Sequence, residues 1–464
     1  MELVIISVFV MGYLAITLEH SLKLDKLIPA LIMMAVCWAL VALGVDHFTN
    51  WFDASKHGLV DGFSTMAHGA KLHLVEETLL HHLGKTAEIL VFLLGAMTIV
   101  EIIDYFDGFS TIKAYVNFKS KKKLLWMFSI LAFILSAIID NLTATIVLIS
   151  ILQKIVKKRE DRIWFAGLII IAANAGGAFS PIGDVTTTML WIGNKVSTGM
   201  LFIYLFIPSI LCMLVPTFIA TFLPAFRGEI ASDEHEVVKT KSPHSARMLY
   251  LGLGAILFVP VFKTVTHLPP YVGMMLSLAV VATFAEIYSR AKFSMTDYNS
   301  AESDAHAHHS PVHHSLSKIE MPSILFFLGI LMAVAALESL GILFNFADSL
   351  KQGIPLIGTE LEGTFVSDLV VILLGVGSAV IDNVPLVAAS LGMFSETIDN
   401  PLWHFIAFSA GTGGSMLIIG SAAGVVAMGM EKIDFFWYLK KISWLALIGF
   451  LIGSAAFLVL RELV

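Results

Sequence analysis

Charge is scarce in this sequence. Only 14% of its 464 residues are Asp, Glu, Lys or Arg, against about 25% in an ordinary soluble domain. Hydrophobic residues make up 57%, and the mean hydropathy is +0.85. One water-soluble core cannot hide that much apolar surface, so a bilayer is its natural solvent. A soluble enzyme, a nucleic-acid binder and a disordered chain are excluded. A net charge of -7 and a pI near 6.1 also argue against a polyanion partner. Cysteine is nearly absent. Cys37 and Cys212 lie inside apolar runs, so no disulfide framework is expected. There is no phosphate-binding Gly-rich loop followed by Lys and Ser or Thr. The longest polar stretches, about 46–86, 227–247, 289–320 and 344–363, are too short for an ATP-hydrolysing module. Energy for transport would come from an ion gradient or the membrane potential, and no cofactor is expected. The basic start of a signal peptide is missing too, so Met1-Glu2-Leu3-Val4 is read as opening a first spanning helix.

What the sequence has in abundance is apolar runs of spanning length. They predict helices near 2–18, 27–45, 87–106, 163–194, 199–224, 248–263, 270–289, 321–343, 403–430 and 436–460. Backbone in lipid must satisfy its own hydrogen bonds, and the alternating segments of a β-barrel are missing. Segment 46–86 reads as an extramembrane, partly amphipathic connection. Two apolar stretches differ from the rest. Residues 124–153 lie between Lys119, Lys121, Lys122 and Lys123 on one side and Lys154, Lys157, Lys158, Arg159 and Arg162 on the other. A re-entrant hairpin keeps both basic clusters in the cytoplasm, as the positive-inside rule demands. Its tip would be Asp140-Asn141. Stretch 365–397 has the same form around Asp382-Asn383-Val384-Pro385. Flanked by Glu360, Glu362 and Asp399, it should enter from outside. The threading gives ten spanning helices and two hairpins, with loops 107–123, 154–162, 225–247 and 290–320 inside and both termini outside.

The hairpins are near copies. Ser136-Ala137-Ile138-Ile139-Asp140-Asn141 matches Ser378-Ala379-Val380-Ile381-Asp382-Asn383. Upstream, Phe92-Leu93-Leu94-Gly95 resembles Phe326-Phe327-Leu328-Gly329, followed by Asp104 and Glu338 at equal distance. Downstream, Ala175-Gly176-Gly177 resembles Thr412-Gly413-Gly414, with Gly183 and Gly420 following. An odd number of spans per half gives the halves opposite orientation, and inverted repeats with discontinuous helices mark secondary transporters. The expected fold is an all-α polytopic membrane protein: an inverted repeat with two re-entrant hairpins and two broken helices. Residues 1–226 form the first repeat, 227–247 a cytoplasmic linker and 248–464 the second repeat.

The chemistry is expected at the tips and breaks. Pro181 and the nearby glycines interrupt the span from Asn174 to Asp184, which frees carbonyls to coordinate a cation. A carboxylate at membrane depth is costly and points to function. Oxygen ligands suit a hard cation such as Na⁺, not a transition metal. The candidate ion-binding residues are Asp140, Asn141, Thr143, Asn174, Gly176, Asp184, Thr186 and Thr187 in the first half. In the second half they are Ser378, Asp382, Asn383, Ser415 and Ser421. Asp-Asn at a tip also serves simply to cap the returning half-helix, a reading that suits Asp382 best. Asp184 has Ser421 as its counterpart, so negative charge leans to the first half. Glu88 and Glu320 open the third helix of each half, as proton carriers or as favourable helix starts. The spans offer almost no buried Lys or Arg. His306, His308, His309, His313 and His314 read as a solvated linker, with metal binding or pH sensing as the other reading.

At Asp140-Asn141, Asn174 to Thr187 and Ser378 to Asn383, the chain resembles the NhaD-type sodium/proton antiporters of the ion transporter superfamily. That resemblance implies exchange of Na⁺ or Li⁺ for H⁺ across a bacterial inner membrane. The superfamily's dicarboxylate carriers imply a homodimer whose transport domain moves against a scaffold. Tips in those carriers usually read Ser-Asn-Thr, so the acidic tips here favour a cation over an anion. The rivals are a sodium-coupled anion symporter, an intramembrane aspartyl protease using Asp140 and Asp184, and a channel.

Overall fold

The computed structural model describes residues 1–53, 58–113, 118–230, 244–294, 310–343, 345, 366–380 and 382–464. The protein is an all-α polytopic membrane protein. Among the described residues the strands are two residues each, β1 (Phe52–Asp53) and β2 (Gly58–Leu59), paired antiparallel.

In the first half, α1 (Glu2–Thr17), α2 (Leu27–Leu43) and α3 (His68–Tyr105) precede the hairpin arms α4 (Lys121–Ile139) and α5 (Asn141–Ile155). Then come α6 (Arg159–Ala178), α7 (Val185–Ile192) and α8 (Thr198–Ala220). The second half opens with α9 (Ser245–Thr266), α10 (Pro270–Ser294), α11 (Pro311–Lys318) and α12 (Met321–Ser339). Its hairpin arms are α13 (Asp368–Gly377) and α14 (Asn383–Met393). The broken helix is α15 (Pro401–Gly413) with α16 (Ala422–Glu431), and α17 (Phe435–Lys441) and α18 (Ser443–Arg461) follow.

Among the described residues seven helices are long and apolar enough to cross a bilayer alone: α3, α4, α8, α9, α10, α12 and α18. Six of these were expected as spans. The expected spans α1 and α2 have only 16 and 17 residues. Spans 163–194 and 403–430 are each interrupted where proline or glycine predicts it. The seventh, α4, was expected as a hairpin arm. It has the length to span, but the chain reverses at Asp140 and α5 packs back against it.

The outer connection differs from expectation. Residues 68–86 are not a separate segment but the first turns of α3, whose 38 residues extend about 57 Å. That far exceeds a hydrocarbon core of about 30 Å. Glu88 therefore lies inside a helix and does not open one. His306, His308 and His309 lie outside the described residues. His313 and His314 stand on α11, with the His314 ring 5.2 Å from Tyr105. Much of the linker, 231–243, also lies outside them, as does Ile381 at the second tip.

Packing repeats between the halves. A Cβ at Gly176 would collide with the Phe133 carbonyl oxygen, and one at Gly413 with that of Gly375. These are matching positions of the two repeats. Helix α6 thus seats directly on the arm α4, and α15 on α13. Gly95 of α3 faces Met274 and Met275 of α10, while Gly329 of α12 faces Ala30 of α2. The arm α5 packs on α16, and α14 on α7, so each hairpin touches the break of the other half.

Candidate functional site

Asp140 ends α4 and caps α5. Its backbone turns at φ 93, an unusual value for a residue with a side chain. Its carboxylate accepts two hydrogen bonds from Thr143, from the backbone N–H at 2.8 Å and from Oγ1 at 2.9 Å. The next residue, Asn141, bonds across to α6. Its Nδ2 donates to Oδ1 of Asn174 at 2.9 Å, and Asn174 Nδ2 donates to Oγ of Ser421 at 3.0 Å. Ser421 caps α16 by accepting from the Gly424 N–H. A chain of three buried polar groups thus joins the first tip, the first broken helix and the second break.

A second strand of the network runs the other way. Asn383 of the second tip donates from Nδ2 to Oδ2 of Asp184 at 3.0 Å, and Thr186 Oγ1 donates to the same oxygen at 2.7 Å. Asp184 is 3% exposed. Its backbone, φ -147 and ψ 144, nearly equals that of Ser421 at φ -145 and ψ 152. The side chains behave differently. Ser421 caps its own helix while accepting from Asn174, whereas Asp184 makes no cap bond and accepts from the opposite tip. Gly411 makes room for it, since a Cβ there would lie 3.3 Å from Asp184 Oδ2.

Asp140 and Asp184 line one cavity of about 20 Å³, together with Thr188, Ile138, Ile182 and Phe92. That is about the space of a single water-sized particle. Its walls are otherwise apolar, and the described positive charges lie elsewhere. Both acids border this small apolar space.

Other expected residues are committed to backbone. Ser378 Oγ donates to Gly375 O at 2.8 Å and Ala410 O at 3.1 Å, tying the second hairpin to α15. Ser415 donates to Thr412 O, Thr187 to Ala178 O, and Gly176 is a packing contact. Glu320 does begin α12 and lines a separate cavity of about 260 Å³ with Glu101, Asp104, Lys318 and Thr143. Glu88 lies in a surface groove beside His81 and Tyr271, away from the tips.

Asp382 departs furthest from expectation. Its carboxylate makes no cap bond and instead accepts from Lys26 Nζ at 3.0 Å. Lys26 is a half-buried cation that sequence reasoning missed, one position before the expected span 27–45. Just past the expected span 436–460, the buried Arg461 guanidinium grips Asp368 through two bonds of 2.5 and 2.6 Å. The signal for Lys26 was present in Pro385. Proline stands where the first half has Thr143, so Asp382 loses both donors that satisfy Asp140.

The citrate transporter family matches residues 13–403. Sodium/proton antiporter 1 of Arabidopsis thaliana is 40% identical over 460 residues, covering 98% of this chain and 72% of that protein. Sodium/proton antiporter 2 of the same plant is 36% identical, covering 98% of each. The Na⁺/H⁺ antiporter NhaD of Vibrio cholerae serotype O1 is 31% identical, covering 98% of this chain and 91% of the relative.

Proposed function

This chain belongs to the citrate transporter family and to the NhaD-type sodium/proton antiporters within it, and we propose that it exchanges Na⁺ for H⁺ at the carboxylates of Asp140 and Asp184. It is a transporter and not an enzyme. The observation that carries the assignment of the site is the small cavity the two acids share. Desolvation makes an uncompensated pair of carboxylates costly, so one of the two cations must be present. Na⁺ and H⁺ then compete for the same charge. Thr143 holds Asp140, Thr186 and Asn383 hold Asp184, and Asn141 and Asn174 offer further oxygen ligands nearby. Li⁺, small and hard, is expected as a second substrate.

The anion reading is favoured by the family's description as citrate transporters. The local charge opposes it, because a carboxylate substrate would meet Asp140 and Asp184. The matching seats of Gly176 on Phe133 and of Gly413 on Gly375, and the contact of each hairpin with the opposite break, support an inverted repeat in which α4–α5 enters from the cytoplasm and α13–α14 from outside. We further read the protein as a homodimer in a bacterial cell membrane. The purified protein in liposomes, with internal pH followed on adding Na⁺, Li⁺, K⁺ or citrate, tests the function. Proton efflux driven by Na⁺ and Li⁺ is expected. A response to citrate alone would replace the antiport reading with the anion one.

A further inference from the structure

The tips have matching sequences but different occupants. Asp140 is satisfied by Thr143 of its own helix. Asp382 cannot be, because Pro385 has neither an N–H nor a hydroxyl. Its partner comes from 356 positions away, the Lys26 ammonium at the start of α2. Lys26 is itself anchored. Its Nζ lies 4.4 Å from the centre of the Phe326 ring, a cation–π contact that holds the charge at this place. The two residues line a cavity of about 50 Å³ with Tyr13, Thr17, Glu19 and Ser421. Through Ser421 this cavity touches Asn174 and the central polar chain. A cation-sized site beside a carboxylate therefore exists in both halves. In the second half an ammonium of the protein's own stands at the wall of that cavity, bonded to the carboxylate.

We propose that Lys26 is a tethered cation that neutralises Asp382, so that the second tip takes up no transported ion and the exchangeable charge resides on the first-half acids alone. Lys26 thereby sets how many cations are bound per cycle. This rests on the reading that Asp140 and Asp184 exchange Na⁺ and H⁺.

The test uses the full chain in proteoliposomes, with proton movement recorded against Na⁺ concentration. Wild type should depend hyperbolically on Na⁺. K26M leaves a carboxylate without its cation, and the rate at fixed Na⁺ should fall at least about tenfold. Its Na⁺ dependence should become sigmoidal as a second ion is needed to fill the vacated site. K26R should stay near wild type. K26M/D382N removes both charges. It should recover a hyperbolic dependence and a rate within about threefold of wild type, the non-additivity of a coupled pair. Monodispersity and thermal unfolding in detergent report on folding for each variant. A folded but inactive K26M/D382N would mean that Asp382 itself carries an ion, and would overturn the proposal. So would a K26M that stays hyperbolic and as slow as the double variant, which marks a packing role. D140N separates the two levels. If D140N exchanges like wild type, the first-half site is wrong and this inference falls with it. If D140N is silent and K26M/D382N is silent too, only this inference fails.

Discussion

Asp140 and Asp382 occupy the same place in two hairpins of nearly the same sequence, and their carboxylates are satisfied in opposite ways. The first is bonded within its own helix and shares a small cavity with Asp184. The second is bonded to a lysine from a distant helix, and the residue that matches Asp184 is Ser421. One half presents two carboxylates to a cavity with no cation beside them among the described residues. The other presents Asp382, already paired with Lys26, and Glu19 at the cavity's edge. Repetition supplies the frame, and the halves part at three positions: Thr143 against Pro385, Asp184 against Ser421, and the added Lys26.

The largest effect should follow from removing the first-half charge. D140N and D184N each keep shape and hydrogen-bonding capacity but cannot exchange a proton. Na⁺-driven proton movement should drop at least about a hundredfold, roughly 2.7 kcal/mol of lost stabilisation. The protein should remain monodisperse. Normal exchange in both variants would reverse the comparison and send the search to the second half.

Competition comes next in size. If H⁺ and Na⁺ share these carboxylates, lowering the pH protonates the empty site and displaces Na⁺. The apparent KM for Na⁺ should then rise by up to about tenfold per pH unit on the acidic side, with the maximal rate little changed. Toward alkaline pH the KM should level off, because the site is already ionised. A KM that stays flat while the maximal rate titrates would put the proton on another group.

Where the halves agree, substitutions should agree as well. G176A and G413A each push a methyl into a carbonyl of the hairpin arm beneath. Backbone cannot move aside cheaply there, and each should cost about 1–3 kcal/mol of stability. Thermal unfolding in detergent would compare them. A large cost in one and none in the other would show that the two seats are not equivalent.

Much of this frame was legible in the sequence because polar and glycine residues are expensive inside an apolar run. Asp140-Asn141, Asp382-Asn383 and the paired glycines stand out for that reason, and they do mark the helix ends and the close seats. The extent of α3 was not legible. Its first half is rich in His, Glu and Lys, and lacks the apolar signature that the second half shows. Which residues share a site was only partly legible. Asp140 with Asp184 follows from a tip and a break meeting within one half. Asn383 with Asp184, and Asn141 through Asn174 with Ser421, cross between halves. Lys26 was hidden because Leu22-Lys23-Leu24-Asp25-Lys26 reads as a short polar turn between spans, where a lysine is ordinarily solvated.

The smallest effect, and the sharpest for the comparison, is expected from making the second tip like the first. P385T restores to the second helix an N–H and a hydroxyl within reach of Asp382, whose backbone at ψ 136 already has the extended form of an N-cap. The cap should add about 1 kcal/mol. Losing a proline frees the unfolded chain and should remove about 0.4–1 kcal/mol. The two nearly cancel, so P385T alone should unfold within a few degrees of wild type. Its consequence should appear only when the lysine is missing. In K26M the carboxylate has no partner, and P385T supplies one. K26M/P385T should therefore regain part of the stability that K26M loses. The gain should vanish when Asp382 is also changed to Ala, whose side chain can accept no cap bond. If P385T changes K26M no more than it changes wild type, the missing donors at position 385 are not why Asp382 reaches for Lys26, and the two tips differ for some other reason.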